Sequence, residues 1–201
     1  MIETERLVLR SWKRTDQAAL HAIKSDPQVM ASLGPPVSRG ESDRSIQTLI
    51  AAERKNGFTF WAVERRSDAT LLGYAGLLPT PAGTPVAGEI EIGWALASAH
   101  WGHGYAREAA VATLDWAWAN TKSRRIVAIT TPGNERSWGL MQRLGMRRDW
   151  GGDFDHPALA EGDPLRRHIT YRIERPGPPR VKPRMRADFS AASAASPRSS
   201  R

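Results

Sequence analysis

Cysteine is absent from the 201 residues, which excludes disulfides, thiolate zinc sites and a cysteine nucleophile. No stretch approaches ~18 consecutive apolar residues, and the chain does not open on a basic start with an apolar run. Internal repeats are lacking as well. Positive charge is lacking where a nucleic-acid surface would need it. Residues 1–174 hold 22 Lys/Arg against 20 Asp/Glu, and most of the formal net charge of +8 comes from residues 175–201, with 7 against 1. The eight tryptophans show no paired spacing that would build a base-stacking platform. What these absences leave is a soluble, cytoplasmic protein with no membrane partner. Its domain over residues 1–174 is long enough for a sizeable core. A basic Pro/Ser/Ala-rich tail follows over 175–201 and reads as disordered, because it has too little apolar area to offset its ordering entropy. Any partner it has would be an acidic one such as RNA, held weakly through phosphates.

The informative stretch is 89–119. Residues 89–96 alternate, with Ile90, Ile92, Trp94 and Leu96 on one face and Glu89, Glu91, Gly93 and Ala95 on the other, the period of a strand. A short link leads to Trp101-Gly102-His103-Gly104-Tyr105-Ala106, and residues 107–119 read as a helix with Ala106, Ala110, Leu114 and Ala117 on one stripe. The first N–H groups of a helix lack intrahelical partners and lie at the positive end of its dipole. Two glycines before such a start leave room for a phosphate against those donors. A tight helix entry would use the same glycines.

Elsewhere the chain reads as a strand over 5–11 and a helix capped by Thr15 and stopped at Asp26-Pro27. A second helix follows Ser38 and carries Ile46, Leu49 and Ile50. A hairpin spans 58–63 and 70–78, and a short interior strand spans 125–131. Asn134 caps a helix that ends at Gly145. Residues 147–164 read as an acidic, glycine-rich excursion, and 165–173 as a last strand.

Gly102-His103-Gly104-Tyr105-Ala106 after Glu91-Ile92-Gly93-Trp94-Ala95-Leu96 resembles the acetyl-CoA signature of the GNAT N-acetyltransferase superfamily. Thr4-Glu5-Arg6-Leu7-Val8-Leu9-Arg10, Asn134-Glu135-Arg136-Ser137 and Leu144-Gly145-Met146 resemble the branch that acetylates ribosomal-protein N-termini. The match runs in family order over residues 2–174. Two positions depart from it: Trp101 stands where the superfamily has Arg or Gln, and Met146 where it has Phe. The resemblance implies an α/β fold with a twisted mixed sheet of about seven strands and helices on both faces. It implies an acetyl-CoA-dependent enzyme, monomeric or dimeric, in which an amine attacks the thioester directly. The acceptor would be a protein N-terminus or, as the rival, an amino sugar, polyamine or antibiotic. A non-catalytic RNA- or ribosome-binding protein is the rival outside the enzymes. Acetyl-CoA contacts would fall on Trp94, Ala95, Leu96, Trp101, Gly102, His103, Gly104, Tyr105, Ala106, Arg107 and Asn134, and residues 25–45 would help select the acceptor.

Acetyl transfer needs a base for the amine, donors for the oxyanion and a proton for the thiolate. Glu91 is the first candidate base, with Glu89 on the same face or a water chain as alternatives. A backbone N–H at Trp94 or Ala95 would serve the oxyanion. Met141 stands where many relatives have a proton-donating Tyr, so the resemblance points to Ser137 for the thiolate. Ser137 also has an ordinary reading as a helix first-turn residue. His100 and His103 lie in a glycine loop without carboxylates, a poor metal site, and none is expected.

Overall fold

Alternating apolar strands and two amphipathic helix pairs produce a two-sided sheet in the computed structural model, which describes residues 1–177. Eight strands form one sheet: β1 (Ile2–Glu3), β2 (Leu7–Arg10), β3 (Phe60–Arg65), β4 (Leu71–Pro79), β5 (Ile90–Leu96), β6 (Arg125–Thr130), β7 (Arg147–Asp155) and β8 (Arg167–Glu174). Their order is β1-β2-β3-β4-β5-β6-β8-β7. Every pairing is antiparallel except β5–β6, which is parallel and holds at a single position, Glu91 opposite Val127. The helices are α1 (Gln17–Ser25), α2 (Pro27–Met30), α3 (Arg39–Asn56), α4 (Tyr105–Asn120) and α5 (Glu135–Arg143).

The two faces of the sheet have separate cores. Ala110, Leu114 and Ala117 of α4 and Met141 of α5 pack on Leu77, Ile92 and Ile126. On the other face Leu20 of α1 and Ile46 of α3 pack on Ala62 and Tyr74, with Trp12 closing the layer. The face of β5 that carries Ile92 thus belongs to α4, and the face that carries Glu91 belongs to α1 and α3.

Local expectations hold at most helix ends. Ser38 and Glu41 make a reciprocal capping box at the start of α3, Asn134 Oδ1 accepts from Ser137 N at 3.3 Å, and Gly145 is left-handed at φ 82°. Thr15 is not a cap. The chain makes a 3-10 turn at Arg14–Asp16, where Asp16 accepts from Lys13 N at 2.8 Å and forms a buried pair with Arg10 at 2.8 Å. Residues 147–164 are not a loop throughout. Residues 147–155 form β7, which together with the short β1 adds to the strands read from the sequence and makes eight. Its polarity is matched across the ladder and along the strand, with Arg172 on Asp149, Arg167 on Asp155 at 3.4 Å and Arg148 on Asp153 at 2.6 Å. Its register shifts between Asp149 and Phe154, around the glycine pair.

The domain also extends past residue 174. Arg175 donates to the carbonyls of Trp118, Thr121 and Ser123 at 2.6, 2.7 and 2.9 Å, and its guanidinium lies over Trp118, 5.3 Å from the ring centroid. A cation on the last carbonyls of α4 satisfies acceptors that the helix cannot. Arg175→Ala should therefore cost about 2 kcal/mol, read as a melting point lower by roughly 4–8 °C. An unchanged melting point would show that the clasp contributes nothing. The rest of the expected tail, residues 178–201, lies outside the described residues.

Candidate functional site

The single β5–β6 pairing opens a split in the middle of the sheet. Ala97 N donates to Leu72 O at 2.8 Å and Thr80 N to Glu89 O at 3.1 Å, and the β4–β5 register between them is unbroken. The odd-numbered residues of β5 therefore bond to β4, and the N–H groups of the even ones point toward β6. Past the Glu91–Val127 bridge, Trp94 presents its N–H to the split. Ala95, the alternative donor from the sequence, points its N–H at β4. Leu96 O also faces the split and accepts from Trp101 Nε1 at 2.9 Å, which folds the Trp101 indole back against the strand end.

The glycine loop closes one end of this split. Gly102 and Gly104 both have φ 81°, and Gly104 is the N-cap of α4, with no side chain bonded to the helix start. The first intrahelical N–H is that of Glu108, to Gly104 O at 3.1 Å, so those of Tyr105, Ala106 and Arg107 have no intrahelical acceptor. Space around Gly102 is open to 4 Å. Arg107 and His103 are exposed beside it, and Arg136 stacks over Trp101 at 4.4 Å.

The N-terminal motif, to which the sequence alone assigns no role at the site, braces this loop. Glu108 Oε1 accepts from Thr4 Oγ1 at 2.6 Å and from Arg6 N at 2.9 Å. Arg6 pairs with Glu108 at 2.6 Å, donates to His103 O at 3.1 Å and lies over the Tyr105 ring at 4.7 Å. Glu108 in turn is held below the usual carboxylate range by the Thr4 and Arg6 bonds, which outweigh its burial.

The two candidate bases separate cleanly. Glu89 pairs with Arg125 at 2.6 Å and with Arg172 at 3.4 Å. Glu91 makes no ion pair among the described residues, and burial without compensation pushes its carboxyl up to about 7. It stands at the bridge where β5 and β6 part. Beside it on the same face, Phe60 covers Gly93, where a Cβ would come 2.8 Å from the ring. Asn134 and Ser137 lie at the start of α5, just after β6, so they flank the split from its far side.

Beyond Phe60 lies a cavity of about 430 Å³ between α1 and α3, with Phe60 and Tyr74 from the sheet and Lys24, Glu41, Arg44 and Ser45 from the helices. The two rings are stacked at 5.9 Å. Of these residues the sequence points only to those within 25–45, as a region; Lys24, Phe60 and Tyr74 carry no such signal.

A strand pair that parts beside a glycine loop with three free N–H groups has the form of a coenzyme A cleft, and the Acetyltransferase (GNAT) domain profile matches residues 6–147. The chain belongs to the GNAT acetyltransferase family. Two Bacillus subtilis proteins are similar to it. YkkB is 30% identical over 71% of this chain and 83% of its own length, and the N-acetyltransferase YnaD is 29% identical over 74% and 83%. A GNAT-family acetyltransferase structure from Bacillus anthracis aligns with a TM-score of 0.71 at 27% identity, over 87% of this chain and 98% of that one. More distant structures share the fold. They include RimL, a ribosomal L7/L12 alpha-N-protein acetyltransferase with bound coenzyme A (18% identity, TM-score 0.68), and a Vibrio cholerae spermidine N-acetyltransferase (19%, 0.67).

This GNAT chain is an acetyl-CoA-dependent N-acetyltransferase. Its residues fit that co-substrate on two counts. The uncapped start of α4 offers donors to a pyrophosphate, and the free edge of β5 offers a ladder partner to an amide-bearing arm. No helix among the described residues is long and apolar enough to cross a membrane.

Proposed function

We propose that this enzyme acetylates the N-terminal amine of a peptide or protein, with Glu91 as the base. Acetyl-CoA, when bound, supplies the activated acyl group. The observation that carries the reading is the unpaired Glu91 carboxylate at the fork between β5 and β6, on the face of the sheet that bears the acceptor cavity. Near neutral pH about half of it is ionised, the state in which it takes a proton from an ammonium entering past Phe60. The Trp94 N–H donates into the split, where charge develops on an acyl oxygen. Ser137, whose backbone N–H is tied down by Asn134, turns its first-turn position on α5 toward donating a proton to the departing sulfur. The backbone of 102–107 holds phosphate, and Trp94, Ala95, Leu96, Trp101 and Asn134 line the route between.

The choice of a peptide rests on the rim of the cavity. Glu41, Arg44 and Thr48 are exposed, so an extended acceptor can leave the site into solvent. A compact amine is the second reading, favoured by the cavity's volume of about 430 Å³, which falls within the size of small-molecule sites. A thiol-release assay over N-terminal peptides, polyamines and amino sugars decides between them. Peptides should give kcat/KM at least about tenfold higher, and a small amine that outperforms every peptide overturns the reading.

A further inference from the structure

The acceptor cavity has a charge arrangement that selects among amines. Lys24 on α1 is half-buried and donates to Ser45 Oγ at 2.8 Å, while Ser45 Oγ itself donates to Glu41 O at 3.0 Å. No carboxylate lies within ion-pair distance of Lys24 or Arg44 among the described residues. The one carboxylate on the wall, Glu41, is tied to the start of α3, where its Oε2 accepts from Ser38 N and Ser38 Oγ at 2.7 and 2.6 Å. Two cations therefore face the cavity against one anchored anion. The opposite wall is the Phe60–Tyr74 stack, and Phe60 separates this charged end from Gly93 and Glu91. Glu91 lies two residues from Gly93 along the strand, roughly 6.6 Å.

We infer that the acceptor of this enzyme carries a carboxylate, set apart from its reacting amine by an apolar segment, and that Lys24 and Arg44 bind it. This rests on the acetyl-transfer reading of the same site. An amine at Glu91 and an anion at Lys24 would meet opposite charges on the two sides of the Phe60 ring. A polyamine meets its own sign at the far end, with Glu41 already engaged. Burial weakens the hold of Lys24 on its proton, a cost that an incoming carboxylate relieves. The carboxylate can belong to an acidic residue near a peptide N-terminus or to a free amino acid with a distal amine.

The test uses the full chain with coenzyme A present at low salt. The acceptors are three peptides that begin with Ala and differ at the next two residues (Asp-Glu, Ser-Ser or Lys-Lys), together with γ-aminobutyrate and spermidine. Calorimetry gives affinity and thiol release gives turnover. The Asp-Glu peptide or γ-aminobutyrate should bind at least about tenfold more tightly than the Lys-Lys peptide or spermidine. Lys24→Met should lower the acidic-to-neutral affinity ratio about tenfold, and exposed Arg44→Gln should lower it about threefold. Equal affinities, a preference for basic acceptors, no binding by any of the five, or an unchanged ratio in both folded variants would overturn the inference. Turnover of γ-aminobutyrate with none of any peptide would sustain it while refuting the peptide reading. Peptide turnover blind to Asp-Glu does the reverse.

Discussion

Glu91→Gln is expected to reduce kcat by about a hundredfold or more at neutral pH and to remove the acid limb of the rate profile. In the unmodified enzyme kcat/KM should fall below about pH 7, where Glu91 takes up its proton. The same variant should be more stable. A carboxyl raised to about 7 from its ordinary 4.5 binds more protons folded than unfolded between those values. Its contribution to stability is full below about pH 4.5 and is lost as pH rises through 7. At pH 8 glutamine escapes that loss, and the gain should be on the order of 2 kcal/mol, reduced by the solvent that reaches this half-buried group. An activity loss with a stability gain at pH 8, and no gain at pH 4, is a signature that a merely structural Glu91 would not give. Glu89→Gln is the informative contrast. It breaks two ion pairs to Arg125 and Arg172, so it should lose stability first. If Glu89→Gln abolishes the acid limb and Glu91→Gln leaves it, the base is Glu89.

Gly104→Val is expected to weaken acetyl-CoA by about a hundredfold in calorimetric titration, with the protein still folded by circular dichroism. Two effects combine. A φ of 81° costs a β-branched residue on the order of 1–2 kcal/mol, which the helix start can relieve only by turning its free N–H groups away. Each charged hydrogen bond lost to a phosphate adds about 1.5–3 kcal/mol, and 1.4 kcal/mol is tenfold. Steric conflict within the protein is minor, since a Cβ at Gly104 meets Arg6 Nη2 at an ordinary 3.5 Å. Unchanged affinity in a folded Gly104→Val protein would move the phosphates elsewhere.

The loop of 101–107 was legible in the sequence because its physics is local: glycines, then a helix start. So was β5, by alternation. The distinction between Glu89 and Glu91 was not, because it depends on Arg125 and Arg172, which lie 36 and 83 residues from Glu89 and reach it only through the sheet order. β7 was misread for a related reason. Asp149, Gly151, Gly152 and Asp153 carry loop chemistry, and only β8, with Arg167 and Arg172 placed opposite, makes a strand of them. Lys24 and Arg44 look like ordinary surface charges until α1 packs on α3. Arg175 looks like the start of a basic tail until the end of α4 comes beneath it. In each case the missing information was a partner distant along the chain.

The hold of Thr4 and Arg6 on Glu108 spans 104 and 102 residues, and that separation is also an interval of time. At roughly 5–20 residues per second, Glu108 leaves the ribosome about 5–20 s after the strand that will grip it. β2 can pair with β3 long before then, so the N-terminal segment is already in place when α4 arrives. The glycine loop is thus moulded against an older piece of chain. Removing the first six residues would for that reason be felt at the coenzyme A end of the molecule, before it was felt at the N-terminus itself.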